Sequence, residues 1–150
     1  MSRVSVTGLD TLKSNLMMLG AGMKEAVSDG LFLTANDVRT TAIKSIQESS
    51  PGNTVTRSRQ GGGTYTHIAA DEGYAPNTDT GALGGSIRVN KNNDLDFDIE
   101  AGINYALYLE MGTVNMRPRP FMQPALDANK NKLVTNIKKV MDVKIKALSK

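Results

Sequence analysis

The alternation Arg117-Pro118-Arg119-Pro120 constrains this chain more than any other four residues in it. Each proline fixes its own φ, lacks an N–H and restricts the residue before it, so the backbone is held extended and no helix passes through. Whatever lies on either side is a separate element. On the near side, residues 105 to 111 make about two helical turns, with Tyr105, Tyr108 and Leu109 on one side. Gly112 then suits the left-handed position that ends a helix. On the far side Phe121 anchors the start of a last helix, with Pro124 near its first turn, where a missing N–H is harmless.

That last helix is expected from about Phe121 to Leu148. Leu126, Leu133, Ile137, Val140, Met141 and Leu148 share a face, while Lys132, Lys139 and Lys146 recur every seven residues on its back. At the other end of the chain, Arg3 to Thr7 alternates like a short strand. Leu9, Leu12, Leu16 and Leu19 recur at helical spacing until Gly20 and Gly22 interrupt them. Val27, Leu31, Ala35, Val38, Ala42 and Ile46 predict a long amphipathic helix over 23–48, weakened at Gly30, where glycine costs about 1 kcal/mol relative to alanine. Ser49-Ser50-Pro51-Gly52 ends it.

Residues 50 to 80 are rich in Gly, Ser, Thr and Asn and read as a long flexible loop, within which Thr64 to Ala70 is a weak strand candidate. A loop of that length in a small domain is commonly functional or disordered. Ser86 to Asn90 and Leu95 to Glu100 alternate as the arms of an antiparallel hairpin, joined through Lys91-Asn92-Asn93. Leu95, Phe97 and Ile99 belong to its inner face. Asp94, Asp96, Asp98 and Glu100 make an outer ladder of carboxylates, with Arg88 across the hairpin as a neutralising cation. The expected fold is α+β in a single domain, with a small antiparallel sheet of three or four strands packed by the long helix and the C-terminal helix.

At 150 residues, the domain buries roughly 70% of its unfolded surface and needs no external staple. The absence of cysteine excludes a disulfide framework, a thiolate metal site and a cysteine nucleophile, and fits a reducing cytoplasm. The N-terminus has no apolar signal region and no stretch approaches the roughly 18 apolar residues of a membrane span, so a soluble protein is expected. Charge is unevenly placed. Residues 71 to 100 carry seven acids against Arg88 and Lys91, and residues 130 to 150 carry seven lysines against Asp142. Asp94, Asp96, Asp98, Glu100, Lys132, Lys139 and Lys146 are therefore the candidates for contacts between subunits in head-to-tail association, the alternative being two solvated faces of opposite sign.

The most specific stretch reads Tyr105-Ala106-Leu107-Tyr108-Leu109-Glu110-Met111-Gly112-Thr113, followed by Met116-Arg117-Pro118-Arg119-Pro120-Phe121-Met122-Gln123-Pro124-Ala125-Leu126. It resembles the tail-completion or neck family of tailed bacteriophages, in which Tyr-Ala-x-Tyr-Leu-Glu-x-Gly-Thr is followed at short range by Arg-Pro-Phe and Pro-Ala-Leu. Thr80-Gly81-Ala82-Leu83-Gly84-Gly85-Ser86-Ile87 looks like that family's Thr-Gly-x-Leu-x-x-Ser-Ile, and Val6-Thr7-Gly8-Leu9-Asp10 with Leu12 looks like its N-terminal Gly-Leu-x-x-Leu. Gly84 departs from the family, where a basic residue is common, and residues 50 to 80 are unmatched in detail.

The resemblance implies a small subunit of helices and strands that forms a homo-oligomeric ring, sixfold or twelvefold, at the head–tail junction of a virion assembled in the host cytoplasm. Its partners would be portal-side or adaptor connector proteins, tail-tube or tail-terminator proteins, and genomic DNA passing through the lumen without sequence preference. Tyr105, Tyr108, Glu110, Gly112, Arg117, Arg119, Pro120, Phe121 and Pro124 carry over as structural residues. Glu110 is expected to pair with Arg117 or Arg119, or else to be solvated. Residues 50 to 80 are expected to project into the channel or onto a neighbouring ring and to order on assembly.

No catalytic apparatus is visible. His67, Asp71, Glu72 and Asp79 lack the paired spacing of a metal site. Asp94-x-Asp96-x-Asp98 lacks the glycine and terminal glutamate of a calcium loop. Gly61-Gly62-Gly63 is not followed by the Lys-Ser/Thr of a phosphate loop. No serine has a base partner beyond His67. No cofactor is expected. Non-specific DNA binding through Arg57, Arg59 and the lysine row is the alternative from another class, each phosphate contact adding about 0.9 to the salt slope, as is another minor virion role such as a decoration or tail-tube-end protein.

Overall fold

The computed structural model describes residues 9 to 148. The expected strand Arg3 to Thr7 lies outside them, as do the side chains of Leu9, Leu12, Leu16, Leu19 and Leu148. The apolar stripe from Val27 to Ile46 belongs to a helix longer than itself, α1, Leu9–Gln47. It runs unbroken through Gly20 and Gly22, where an interruption was expected. Glycine lowers helix propensity but keeps its N–H, so the hydrogen-bond ladder continues where a proline would have cut it. Ala26, Ala35, Val38, Ala42 and Ile46 are buried, and the helix ends just ahead of Pro51.

Residues 50 to 80 are not a flexible loop. β1 (Gly52–Ser58) pairs antiparallel with β2 (Thr64–Ala70), in register from Gly52 opposite Ala70 to Ser58 opposite Thr64. Gly61, Gly62 and Gly63 all have positive φ at its tip, a conformation open to glycine at little steric cost. β1 is almost wholly exposed, and β2 turns only Tyr65, His67 and Ala69 to a half-buried face ahead of the buried Ala70, which is why no strong apolar alternation announced the hairpin. At its base, Asn77 clasps the chain: its Oδ1 accepts the Ser50 N–H at 2.6 Å, and its Nδ2 donates to the carbonyls of Ser50 (2.9 Å) and Ile68 (3.0 Å). The Thr78 N–H donates to the Ile46 carbonyl at 3.0 Å.

A short helix α2 (Ala82–Ser86) leads into β3 (Ile87–Asn93), which pairs antiparallel with β4 (Asp96–Ala101). Arg88 lies opposite Glu100 and Val89 opposite Ile99, as the alternation predicts. The turn sits later than expected, because an irregularity between Lys91 and Asn93 extends β3 and leaves Asp94 and Leu95 as the tip. Leu95 is exposed there and does not join Phe97 and Ile99 on the inner face. This hairpin packs on α1, where the Phe97 and Phe32 rings lie 5.8 Å apart and Arg39 Nε donates to the Ile87 carbonyl at 2.8 Å. The fold is α+β as expected, but its four strands form two separate two-stranded sheets. Residues 71 to 86 run between the pairs and keep them apart.

Three helices complete the chain: α3 (Ala106–Met111), α4 (Met122–Asn129) and α5 (Lys132–Leu148). The single final helix expected from Phe121 is broken at Lys130-Asn131. The buried Asn129 side chain donates both to the Ala125 carbonyl (2.8 Å) and to Thr41 Oγ1 on α1 (2.9 Å), tying the end of α4 to α1. The break takes Leu126 off the packed side, so it is exposed while Leu133, Ile137, Val140 and Met141 are half-buried. α5 runs antiparallel to α1. Asn136 Nδ2 reaches Thr34 Oγ1 (3.1 Å) and Asp37 (3.0 Å), and Lys144 reaches Glu25 (2.8 Å) and Asp29 (3.0 Å). The Glu25 contact, followed by Asp29, pushes the Lys144 ammonium pKa up against a smaller opposing effect of burial. The core lies where Val38, Ala42 and Ile46 of α1 meet Leu83, Ile87, Ala106, Phe121 and Ala125.

Candidate functional site

α3, the proline strap and α4 fold as one joint. The Gly112 N–H donates to the Tyr108 carbonyl at 2.9 Å and closes the last turn of α3. Gly112 has φ 76 and ψ −178, a region essentially restricted to glycine. A Cβ added there would stand 2.7 Å from the Met116 carbonyl oxygen and 2.9 Å from Pro118 Cδ. The chain therefore reverses. Thr113 and Met116 exchange backbone hydrogen bonds at 2.7 and 3.3 Å, with Val114 fully exposed at the tip. The strap returns beside α3, and the Arg119 N–H donates to the Leu109 carbonyl at 2.7 Å.

Glu110 then closes the joint. Its Oε2 accepts the N–H groups of Phe121 (2.8 Å) and Met122 (3.0 Å), and its Oε1 accepts that of Gln123 (2.9 Å). The opening N–H groups of a helix have no partner within it. Here three go to one carboxylate, and the next residue, Pro124, has none to place. Negative charge at this end is also favoured by the helix dipole. The expected pairing of Glu110 with Arg117 or Arg119 is not formed, because its oxygens are committed to α4. Arg117 pairs instead with Glu72 at 3.0 Å, both exposed, and the Gly73 N–H donates to the Pro118 carbonyl at 3.0 Å.

Phe121 is fully buried in the core and Pro120 is half-buried. Of the three residues expected on one side of α3, Tyr105 and Tyr108 are exposed, together with Leu107 and Met111, while Leu109 is half-buried against the core. The side of α3 that is buried is Ala106. Arg119 is half-buried, and its Nε is enclosed with no hydrogen-bond partner; a long 3.9 Å contact from its terminal nitrogen to Met116 Sδ is the guanidinium's only polar contact among the described residues.

Beside the joint lies a cleft of about 380 Å³, walled by Ile46, Leu83, Tyr105, Leu109, Arg119 and the Asp79 region. The Asp79 carboxylate accepts the Tyr65 hydroxyl at 2.8 Å and the Arg57 guanidinium, with His67 Nδ1 at 3.9 Å. The Tyr65 hydrogen bond, then the charges of Arg57 and His67, hold the Asp79 carboxyl below the usual range against a raising effect of burial. Donation to Asp79 pushes the Tyr65 phenol up. Arg57 is thus engaged within the chain, whereas Arg59 sits over the Tyr65 ring at 5.7 Å.

The candidates for subunit contacts lie elsewhere. Asp94, at the hairpin tip, bonds Lys91 (3.0 Å) and Lys24 of α1 (3.3 Å), which lower its pKa in that order. Asn92 Nδ2 donates to Asp98 at 2.8 Å and lies 3.4 Å from Asp96. Asp96, Asp98 and Glu100 are exposed, and none is in an ion pair among the described residues. Lys132, Lys139 and Lys146 are exposed on α5. The structure therefore gathers the 105–124 residues into one unit and brings Arg57 to the cleft, while the acidic and basic rows remain apart from it.

Sequence reasoning missed the Asp79 cluster, for which the only signal was polar residues in a presumed loop, and the rungs made by Asn129 and Asn136, for which there was none. Among the described residues no group of three His, Cys, Asp or Glu side chains is placed to hold a metal, and no helix is long and apolar enough to cross a membrane. Comparison with protein-family models, with curated proteins and with solved structures finds no match to this chain.

Proposed function

We propose that this chain is a structural virion protein that catalyses no reaction and forms a ring at the head–tail junction of a tailed bacteriophage, as a neck, tail-completion or tail-terminator subunit around the DNA channel. The observation that carries the reading is the joint. The residues on which the phage resemblance rests, Glu110, Gly112, Arg119, Phe121 and Pro124, depend on one another for backbone support, and none is arranged around a reactive group. A motif of this kind shapes a subunit. The hairpin β1–β2 supports the same reading: it is a folded arm with one face exposed, suited to reaching a neighbouring subunit or ring.

A separate role in DNA binding draws less support, since Arg57 is neutralised by Asp79. Lumen contacts to DNA from Arg59 would be weak and salt-dependent. The test is the mass of the purified protein in solution, followed by imaging of particles made without it. A closed oligomer, and heads and tails left unjoined, are the expected results. Normal particles reject the reading, and a decorated head or shortened tail as the sole defect would move the protein to another minor virion role.

A further inference from the structure

Among the described residues, Arg119 is a partly buried cation with no ion-pair partner, and Asp96, Asp98 and Glu100 are carboxylates with none. In and around the cleft two other cations are paired, Arg57 with Asp79 and Arg117 with Glu72. Arg119 lines both the cleft and the shallower depression beyond it, where Asp71 also lies, yet no carboxylate is within ion-pair distance of it among the described residues. Burying a guanidinium nitrogen without an acceptor is costly. A carboxylate from outside the subunit, meeting the terminal nitrogens in the cleft, offsets that cost by pairing the charge.

The same chain carries suitable acceptors. Asp96 and Asp98 stand on the outer face of β4, with Asn92 donating to Asp98, and neither is in an ion pair among the described residues. They do not reach their own Arg119 cleft. Phe97 between them packs on Phe32 of α1, and Phe32 is about 20 Å along the helix from Ile46, at the cleft wall, given a rise of 1.5 Å per residue. Beside the cleft, the exposed Tyr105, Leu107, Tyr108 and Met111 add apolar area to the surface that an incoming strand face would cover.

We infer that the Arg119 cleft is a receptor for the Asp96–Asp98 face of a second copy of this chain. The contact is heterologous, each subunit offering its acidic hairpin to one neighbour and its cleft to the other, the geometry that closes into a ring or runs on as a filament. The partner's carboxylate would meet the terminal nitrogens of Arg119 where the guanidinium lines the cleft, the end-on two-point geometry open to arginine when its Nε is enclosed. The inference rests on the ring reading above.

Two variants test it: Arg119→Met, which removes the guanidinium, and Asp96→Asn with Asp98→Asn, which neutralises two exposed groups without touching the core. Sedimentation of each should show association weakened on the order of 30-fold or more relative to wild type, as for loss of one partner of a desolvated charge pair. Melting of Arg119→Met, compared with wild type at a concentration where both are monomeric, should be unchanged or raised, since an unmatched charge is removed; a lowered melting temperature there would mark Arg119 as an internal support and overturn the inference. Mixing the two variants leaves one intact contact per pair. Heterodimers, with nothing larger, are expected.

Wild-type association in the acidic variant, or a mixture that restores no heterodimer, overturns the inference. A wild-type chain that stays monomeric overturns it as well, while unjoined heads and tails in particles lacking the chain would leave the proposed function standing. Normal particles with an intact Arg119 contact would do the reverse.

Discussion

Glu110 forgoes an ion pair and takes three backbone amides, and magnitudes explain the choice. An exposed pair with Arg117 would contribute about 0–1 kcal/mol. Each charge-assisted hydrogen bond to an otherwise unpartnered amide is worth about 1.5–3 kcal/mol. Glu110→Ala should therefore lower stability by about 3 kcal/mol in urea unfolding, and Glu110→Gln by about 1–2 kcal/mol because the amide keeps one acceptor oxygen. A loss within about 0.5 kcal/mol for the alanine variant would remove the cap from the account. Asp79 gives a test of sign. Its folded pKa is depressed, so its contribution is complete above its unfolded value of about 4 and fades as pH falls through the lower one. The stability gap between wild type and Asp79→Asn should be widest near neutrality and narrow in acid; a gap that widened in acid would mean the group is not held ionised. Gly112 and Phe121 were legible because their rules are local: a glycine after a helical turn, an aromatic before one. The acceptor role of Glu110 was not, because its partners are backbone groups that any residue carries.

Legibility at the scale of elements followed burial. The β3–β4 hairpin alternates because one face packs on α1, and its register was readable to within a turn; the irregularity near Asn93, which has no composition signal, moved the tip. The β1–β2 hairpin half-buries one face at Tyr65, His67 and Ala69 and buries no large apolar side chain, so its sequence had no apolar pattern to impose, and only β-favouring residues such as Val55, Tyr65 and Ile68 hinted at it. Gly30 looked like a weakness in α1 and is instead a point of close approach to α5. An added Cβ would lie 2.6 Å from Ile137 Cγ1 and 2.7 Å from Ile137 Cα. Alanine would gain about 1 kcal/mol of helix propensity, yet it must push two antiparallel helices apart. Gly30→Ala should destabilise by a net of about 1–3 kcal/mol, and a more stable variant in denaturant titration would show that α5 moves freely on α1. The break between α4 and α5 escaped the sequence because the 3.6-residue stripe continues in phase across it, while the tie that sets it, Asn129 to Thr41, joins residues far apart in the chain.

For the molecule as a whole, the core and the projecting arm are separable. Every residue of the central cluster comes from α1, α2, the start of β3, α3 or the segment from Phe121 to Ala125, and β1–β2 contributes only Ala70, at its base, to the buried apolar residues. Because Asn53 and Ala69 are directly paired, residues 54 to 68 can be replaced by an Asn-Gly turn without moving the ends. The excision removes the Arg57, Tyr65 and Ile68 contacts to Asp79 and Asn77, all exposed, so the loss of stability should stay near 1–2 kcal/mol. If the arm reaches a neighbour in the particle, the same excision should abolish head–tail joining while leaving a folded subunit. A subunit that melts normally and still joins heads to tails would make the arm dispensable and shift the burden of contact to the acidic hairpin and the Arg119 cleft. A subunit that no longer folds would instead show that the core depends on the hairpin through Asn77, the clasp shared by β2 and the end of α1.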